Sequence, residues 1–148
     1  MRTLKRNKRL MYYAIPTGEE IVEYQLDENG NRIVAYVDSQ TGETYYAETG
    51  QKVPEYLEPV QFNANIAMSG GESEAQEFGL SVADYNAVIV TELDRFPIIN
   101  STLIWFGSEP QYKDQEKTIL DQKSADYMVL KVAPSLNTVK YVLKAIVK

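Results

Sequence analysis

Glu72, Glu74 and Glu77 sit close together in the 148-residue chain. A pair of carboxylates is the minimum equipment for glycoside hydrolysis. On a helix Glu74 and Glu77 share a face, and Glu72 lies off it. A solvated helix start, where the macrodipole favours acids, accounts for the same residues without catalysis, and that reading is adopted. Asp27-Glu28-Asn29-Gly30-Asn31 has the look of a calcium loop. Such a loop needs alternating ligands, a later glycine, a distal bidentate glutamate and flanking helices, so a hairpin turn is expected instead. Ser69-Gly70-Gly71 invites a phosphate cradle. No Lys or Arg stands near it and Glu72 follows at once, so a tight strand-to-helix turn is expected.

Histidine and cysteine are both absent. Disulfides, thiolate metal sites and cysteine nucleophiles are excluded with the cysteines. The commonest general base and the commonest zinc and copper ligand go with the histidines. Most hydrolase triads therefore have no members here. The expectation is a chain that is not an enzyme and carries no catalytic residue, no cofactor and no metal.

Charge is strongly segregated. Residues 1–9 hold Arg2, Lys5, Arg6, Lys8 and Arg9 and no acid. Residues 10–94 hold sixteen acids against only Arg32 and Lys52, and residues 95–148 carry a net charge of +3. A nucleic-acid tail is one use for the basic arm, but the isoelectric point near 4.7 opposes specific DNA binding. An arm paired with an acidic surface of a neighbour or partner is the more economical account, and a solvated tail is the plain alternative. Leu4, Leu10, Met11, Tyr12 and Tyr13 argue for docking. Tyrosine numbers eleven, with Tyr12-Tyr13 and Tyr45-Tyr46 adjacent. Such enrichment suits interfaces, because the ring buries area while the hydroxyl stays wet. Strand propensity explains part of it, and sugar binding by exposed rings stays open.

The elements that must position these groups are strands. Residues 60–68, VQFNANIAM, alternate strictly, with Val60, Phe62, Ala64, Ile66 and Met68 on one face. Residues 138–148 alternate with Lys140, Lys144 and Lys148 outside and Val139, Tyr141, Leu143, Ala145 and Val147 inside. Their β-branched and aromatic content favours strand over helix. Residues 85–92, 102–106 and 127–133 are shorter apolar strands, and Pro134-Ser135-Leu136-Asn137 turns the last two into an antiparallel hairpin. In 16–56, glycines at 18, 30, 42 and 50 separate IVEYQL, RIVAYV and TYYAE. That pattern reads as two or three successive hairpins; its spacing of twelve hints at a repeat whose strands do not match. One short helix is expected over 69–79, and 108–123 reads as loop. The apolar run Leu10–Ile15 is too short for a signal peptide, and nothing approaches a bilayer-spanning stretch, so a soluble protein made in the cytoplasm is expected.

The expected fold is mainly β: a small antiparallel β-barrel or sandwich with one short helix and a turn-rich acidic hairpin insert. The size suits a single domain over 1–148. Residues 1–15 form a basic arm and first strand, 16–56 the acidic hairpin insert, and 57–148 the barrel core.

The order of these segments resembles a known family. It comprises the basic start RTLKRNKRLMYYA, the acidic turn-rich insert, PVQFNANIAMSGGESEAQEFGLSVADYNAVIV, STLIWFG and the closing pair DYMVLKVAPSLNTVKYVLKAIV. The sequence resembles the head–tail connector proteins of long-tailed bacteriophages, the head-closure or stopper group similar to the head–tail joining family. The likeness is best over 57–148. It implies a small β-barrel assembled as a dodecameric ring below the portal, with loops that retain or gate the packaged DNA and an opposite face that docks the tail. It implies a virion protein of the neck, present in the host cytoplasm during assembly, with copies of itself, portal or adaptor proteins and the tail terminator or tail tube as partners. DNA would pass through without specific binding, and no membrane is involved.

A ring needs two different surfaces that meet around a closed rotation. The arm residues Arg2, Lys5, Arg6, Lys8, Arg9, Tyr12 and Tyr13 and the acidic block offer such a pair. Carboxylates at Glu19, Glu20, Glu23, Asp27, Glu28 and Glu43 are candidates to line or plug the channel, where they would repel phosphate. The rival readings are another neck or tail-completion protein or, from a different class, a monomeric carbohydrate-binding β-module or carboxylate-only glycosidase.

Overall fold

The computed structural model describes residues 8–68 and 86–147, with the backbone alone at Lys8, Arg9 and Met68. The helix expected over 69–79, the Glu72–Glu77 group and Ser69-Gly70-Gly71 lie outside the described residues. The chain divides into two compact units, one of residues 1–15, 57–110 and 122–148, the other of residues 16–56 and 111–121.

The first unit is a closed antiparallel barrel of six strands. These are β1 (Lys8–Ala14), β6 (Val60–Met68), β7 (Ala87–Glu92), β8 (Leu103–Phe106), β9 (Tyr127–Pro134) and β10 (Thr138–Ala145). Around the barrel the order is β1, β6, β7, β10, β9, β8 and back to β1. Closure removes the exposed edges that an open sheet would present. Alternation drives one face of each strand inward. Met11 and Tyr13 of β1, Phe62 and Ala64 of β6, Ala87 and Ile89 of β7, Ile104 of β8, Val129 of β9, and Val139, Tyr141 and Leu143 of β10 form one buried core. Three rings stack edge-on within it: Phe62 lies 5.1 Å from Tyr13 and 5.0 Å from Phe96.

The strand over 138–148 holds as far as Ala145; Ala145 and Val147 are exposed, so the inner face ends at Leu143. Val60, assigned inward by alternation, is also exposed, because it starts its strand. On the outer wall Val142 packs with Val88, Val90 and Ala133, so these strands bury part of their second face too. Strand β8 does so completely. Leu103 and Trp105 alternate with Ile104 and are fully buried, and Trp105 Nε1 donates to Ser124 Oγ at 3.0 Å in the short 3-10 turn Gln122–Ser124 that covers them. Asp126 then clamps the strand end by accepting from Phe106 N and Ser108 Oγ.

The second unit is a branched ribbon. Strands β2 (Pro16–Tyr24) and β5 (Glu48–Tyr56) pair as a stem, and β3 (Val34–Val37) pairs with β4 (Thr44–Tyr46). Successive hairpins were expected; the stem instead carries two branches, the loop closed by the Leu26–Arg32 bridge and the β3–β4 hairpin. Three backbone bonds tie the junction: Gln25 N to Ala47 O, Ala47 N to Ile33 O and Ile33 N to Gln25 O. Of the four glycines, Gly30 and Gly42 lie in reversals, whereas Gly18 and Gly50 lie inside β2 and β5, both at φ +86°.

That symmetry extends to the sequence. PTGEEIVEY of β2 and ETGQKVPEY of β5 share Thr, Gly, Glu and Tyr at matching places, 32 residues apart. The ladder is centred on Ile21 opposite Val53, with Pro16 opposite Tyr56 and Tyr24 opposite Glu48. Each copy bulges at its Thr-Gly step against the glutamate of the other. Thr17 Oγ1 donates to Glu55 Oε1 at 3.0 Å, and Thr49 Oγ1 to Glu23 Oε1 at 3.1 Å. Each threonine oxygen also accepts from the amide two residues on, at 3.2 Å. The bulges need positive φ, which glycine adopts without a Cβ penalty. A Cβ at Gly18 or Gly50 would meet nothing within 4 Å, so backbone strain is the whole cost. Gly18→Ala and Gly50→Ala should each destabilise the ribbon by about 1 kcal/mol. Urea denaturation of both variants checks this; unequal costs would contradict the equivalence of the two bulges.

Candidate interaction surface

The arm residues Arg2, Lys5 and Arg6 lie outside the described residues. Lys8 and Arg9 stand on β1 opposite Asn65 and Ala64. Tyr12 is half-buried, its hydroxyl 3.5 Å from Gln61 Nε2. Tyr13, grouped with the arm as an interface residue, points into the barrel, because it shares the inward parity of Met11. Burial pushes its hydroxyl pKa up.

The acidic candidates divide. Glu19, Glu20, Asp27, Glu28 and Glu43 are exposed, and Glu23 is half-buried. Glu23 is held by Thr49 and lies 3.8 Å from Lys113 Nζ. Asp27 Oδ1 accepts from the amides of Asn29 and Asn31, the bond pattern of a capped turn, as expected for this loop. Glu43 accepts from the hydroxyl of Tyr45 at 3.0 Å. Among the described residues no three acidic side chains gather as a metal site would require.

Arg32, one of two bases in 10–94, organises the second unit. Its guanidinium lies 4.3 Å from the centre of the Tyr24 ring and 5.6 Å from that of Tyr46. It donates to Thr118 Oγ1 at 3.2 Å and pairs with Glu116 at 3.1 Å. Gln115 Nε2 donates to Asn29 O, and Gln115 N to Gly30 O. These bonds fasten 111–121 to the ribbon, a partnership that the polar composition of 108–123 hid. Asp114 closes that segment on itself. Its carboxylate accepts from the amides of Thr118 and Ile119, each at 3.0 Å, and from the Thr118 hydroxyl. Burial pushes its pKa up, but the bonds from Thr118 and Ile119 outweigh burial and hold the group below the ordinary aspartate value.

The distal β3–β4 ribbon is different in kind. All four residues of β3, Val34 to Val37, are exposed, Tyr36 at 59% and Val37 at 56%. Ile33 and Tyr45 add to this apolar surface. Tyr36 and Tyr45 stack with centroids 4.6 Å apart and planes 17° from parallel. An isolated two-stranded ribbon is marginal in water, and exposed apolar clusters of this kind mark interaction surfaces. Tyr45 is marked in the sequence by its adjacency to Tyr46; Val34, Tyr36 and Val37 carry no mark beyond belonging to the hairpin strand RIVAYV.

A second apolar feature lies on the barrel. A groove of about 270 Å³ is lined by Ser101, Met128, Val129, Leu130, Lys144, Ala145 and Ile146. No helix among the described residues is long and apolar enough to cross a membrane. No protein-family model, curated protein or solved structure matches the chain.

Proposed function

We propose that this chain is a non-catalytic structural protein that works by assembling with copies of itself. Its place is the neck of a long-tailed bacteriophage, as a ring between portal and tail that closes the head and retains packaged DNA. The observation that carries the self-assembly reading is the exposed apolar β3–β4 ribbon inside a strongly acidic stretch, in a chain whose first nine residues are purely basic. Exposed ion pairs yield only about 0–1 kcal/mol each. Charge therefore steers and orients the copies, and apolar area holds them. The neck assignment rests on the resemblance in segment order, with which a small closed barrel is compatible. In that setting Glu19, Glu20, Asp27, Glu28 and Glu43 are the exposed candidates to line or plug a DNA channel.

The stacked Tyr36–Tyr45 pair favours a second reading, a monomeric carbohydrate-binding module, since flat exposed rings also suit sugar faces. Negative-stain imaging of the purified full chain, at low and high salt and with a glycan-binding assay alongside, separates the two. Closed rings with a single subunit number support assembly. Solitary particles that bind a glycan through Tyr36 contradict it.

A further inference from the structure

The second unit contains two tyrosine pairs, one meeting edge to face at 6.1 Å and already in contact with a cation, the other stacked at 4.6 Å. Tyr24 and Tyr46 flank the Arg32 guanidinium, whose charge is met by Glu116 at 3.1 Å. Tyr45 precedes Tyr46 on β4 and faces the opposite side of the strand, since neighbouring strand residues alternate. On its side Tyr45 stacks with Tyr36, and the Tyr45 hydroxyl donates to the Glu43 carboxylate at 3.0 Å. The two sites therefore share their components: two rings and a carboxylate. The first has its cation from within the unit. Residues 33–51 contain no Lys or Arg, only Asp38, Glu43 and Glu48.

We propose that Tyr36, Tyr45 and Glu43 form a receptor for an arginine or lysine side chain presented by the basic amino-terminal segment, MRTLKRNKR, of a second copy of this chain. The proposal rests on the self-assembly reading and supplies its contact. A cation over a tyrosine face gains from the ring quadrupole, and gains more when partner and rings desolvate one another. Val34, Ile33 and Val37 flank the site as exposed apolar surface, suited to Leu4 of the incoming segment. Five bases in nine residues, the densest cationic stretch of the chain, meet three acids and no opposing cation within 33–51, so charge complementarity favours this segment.

The test is fluorescence anisotropy of a labelled MRTLKRNKR peptide titrated with the full chain, and with the Tyr36→Ala, Tyr36→Phe and Glu43→Gln variants. Tyr36 is exposed, so these changes leave the fold in place, which circular dichroism verifies. Tyr36→Ala is expected to weaken binding about tenfold and Tyr36→Phe to restore most of it, because the ring face rather than the hydroxyl is the receptor. A peptide with Gln at every Arg and Lys should not bind. Equal affinity of wild type and Tyr36→Ala, equal binding of the Gln peptide, or capture of a glycan through Tyr36 in place of the peptide overturns the proposal. The two ideas fail separately: a ring indifferent to Tyr36→Ala sinks this contact alone, and a chain that binds the peptide yet never self-associates sinks the assembly reading alone.

Discussion

Trp105→Ala is expected to destabilise the barrel by about 3–5 kcal/mol. Domains of this size hold only about 5–15 kcal/mol in total. The variant should therefore unfold at far lower urea concentration, or fail to accumulate at all. Trp105 is the chain's single tryptophan and is fully buried on the outer wall of β8. Its removal leaves a large void under the 122–125 segment and loses the hydrogen bond from its N–H to the Ser124 hydroxyl. It also loosens the strand on which closure depends, since β8 pairs with β1 on one side and with β9 through only Leu103 and Ile104 on the other. Trp105→Phe keeps much of the apolar area and loses the hydrogen bond, so about 1 kcal/mol beyond the packing change is expected. Urea unfolding followed by far-ultraviolet circular dichroism distinguishes these costs. An alanine variant within 1 kcal/mol of wild type would mean that β8 is not a load-carrying wall of the barrel.

Asp114→Ala should cost about 2–3 kcal/mol, felt locally in 111–121, because the buried Ile119 amide and the part-buried Thr118 amide and hydroxyl lose a charged acceptor together. Amide exchange at Thr118 and Ile119 should accelerate about thirtyfold or more, while exchange in β10 is unchanged. The pH dependence has a definite sign. The folded pKa of Asp114 is depressed, so its contribution is fully present above the ordinary aspartate value. It is lost as pH falls from about 4 through the folded value. Acid should therefore loosen 111–121 in the wild type, and the alanine variant should lack that step. An acid profile shared by both proteins would contradict the role given to this carboxylate.

The barrel strands were legible because they alternate. VQFNANIAM and TVKYVLKAIVK carry the period of two over eight residues or more, and it places Phe62, Ala64, Val139, Tyr141 and Leu143 correctly. Closure was not legible. It rests on Ala14 opposite Leu103, a pairing between residues 89 positions apart that leaves no local mark. Trp105 and Val142 are buried on outward faces, where alternation predicts exposure. In the second unit, the glycine spacing of twelve drew attention away from the true repeat, T-G-x-x-[I/V]-x-E-Y at a distance of 32, because two of the four glycines serve bulges rather than turns. The attachment of 111–121 was hidden for another reason. Hydrogen bonds and the Arg32–Glu116 and Lys113–Glu23 ion pairs hold it, and polar bonding has no periodicity. As for the candidate site, Tyr45 and Glu43 were visible by residue type, Tyr36 stood only as part of the hairpin strand RIVAYV, and Tyr13, grouped with the docking arm, shares the parity of Met11 and lies in the core.

Sedimentation of the full chain over a range of concentration and salt tests the central claim most directly. Assemblies at a fixed multiple of 16.8 kDa, forming more slowly as salt rises, are the predicted result. A single 16.8 kDa species under every condition would contradict it.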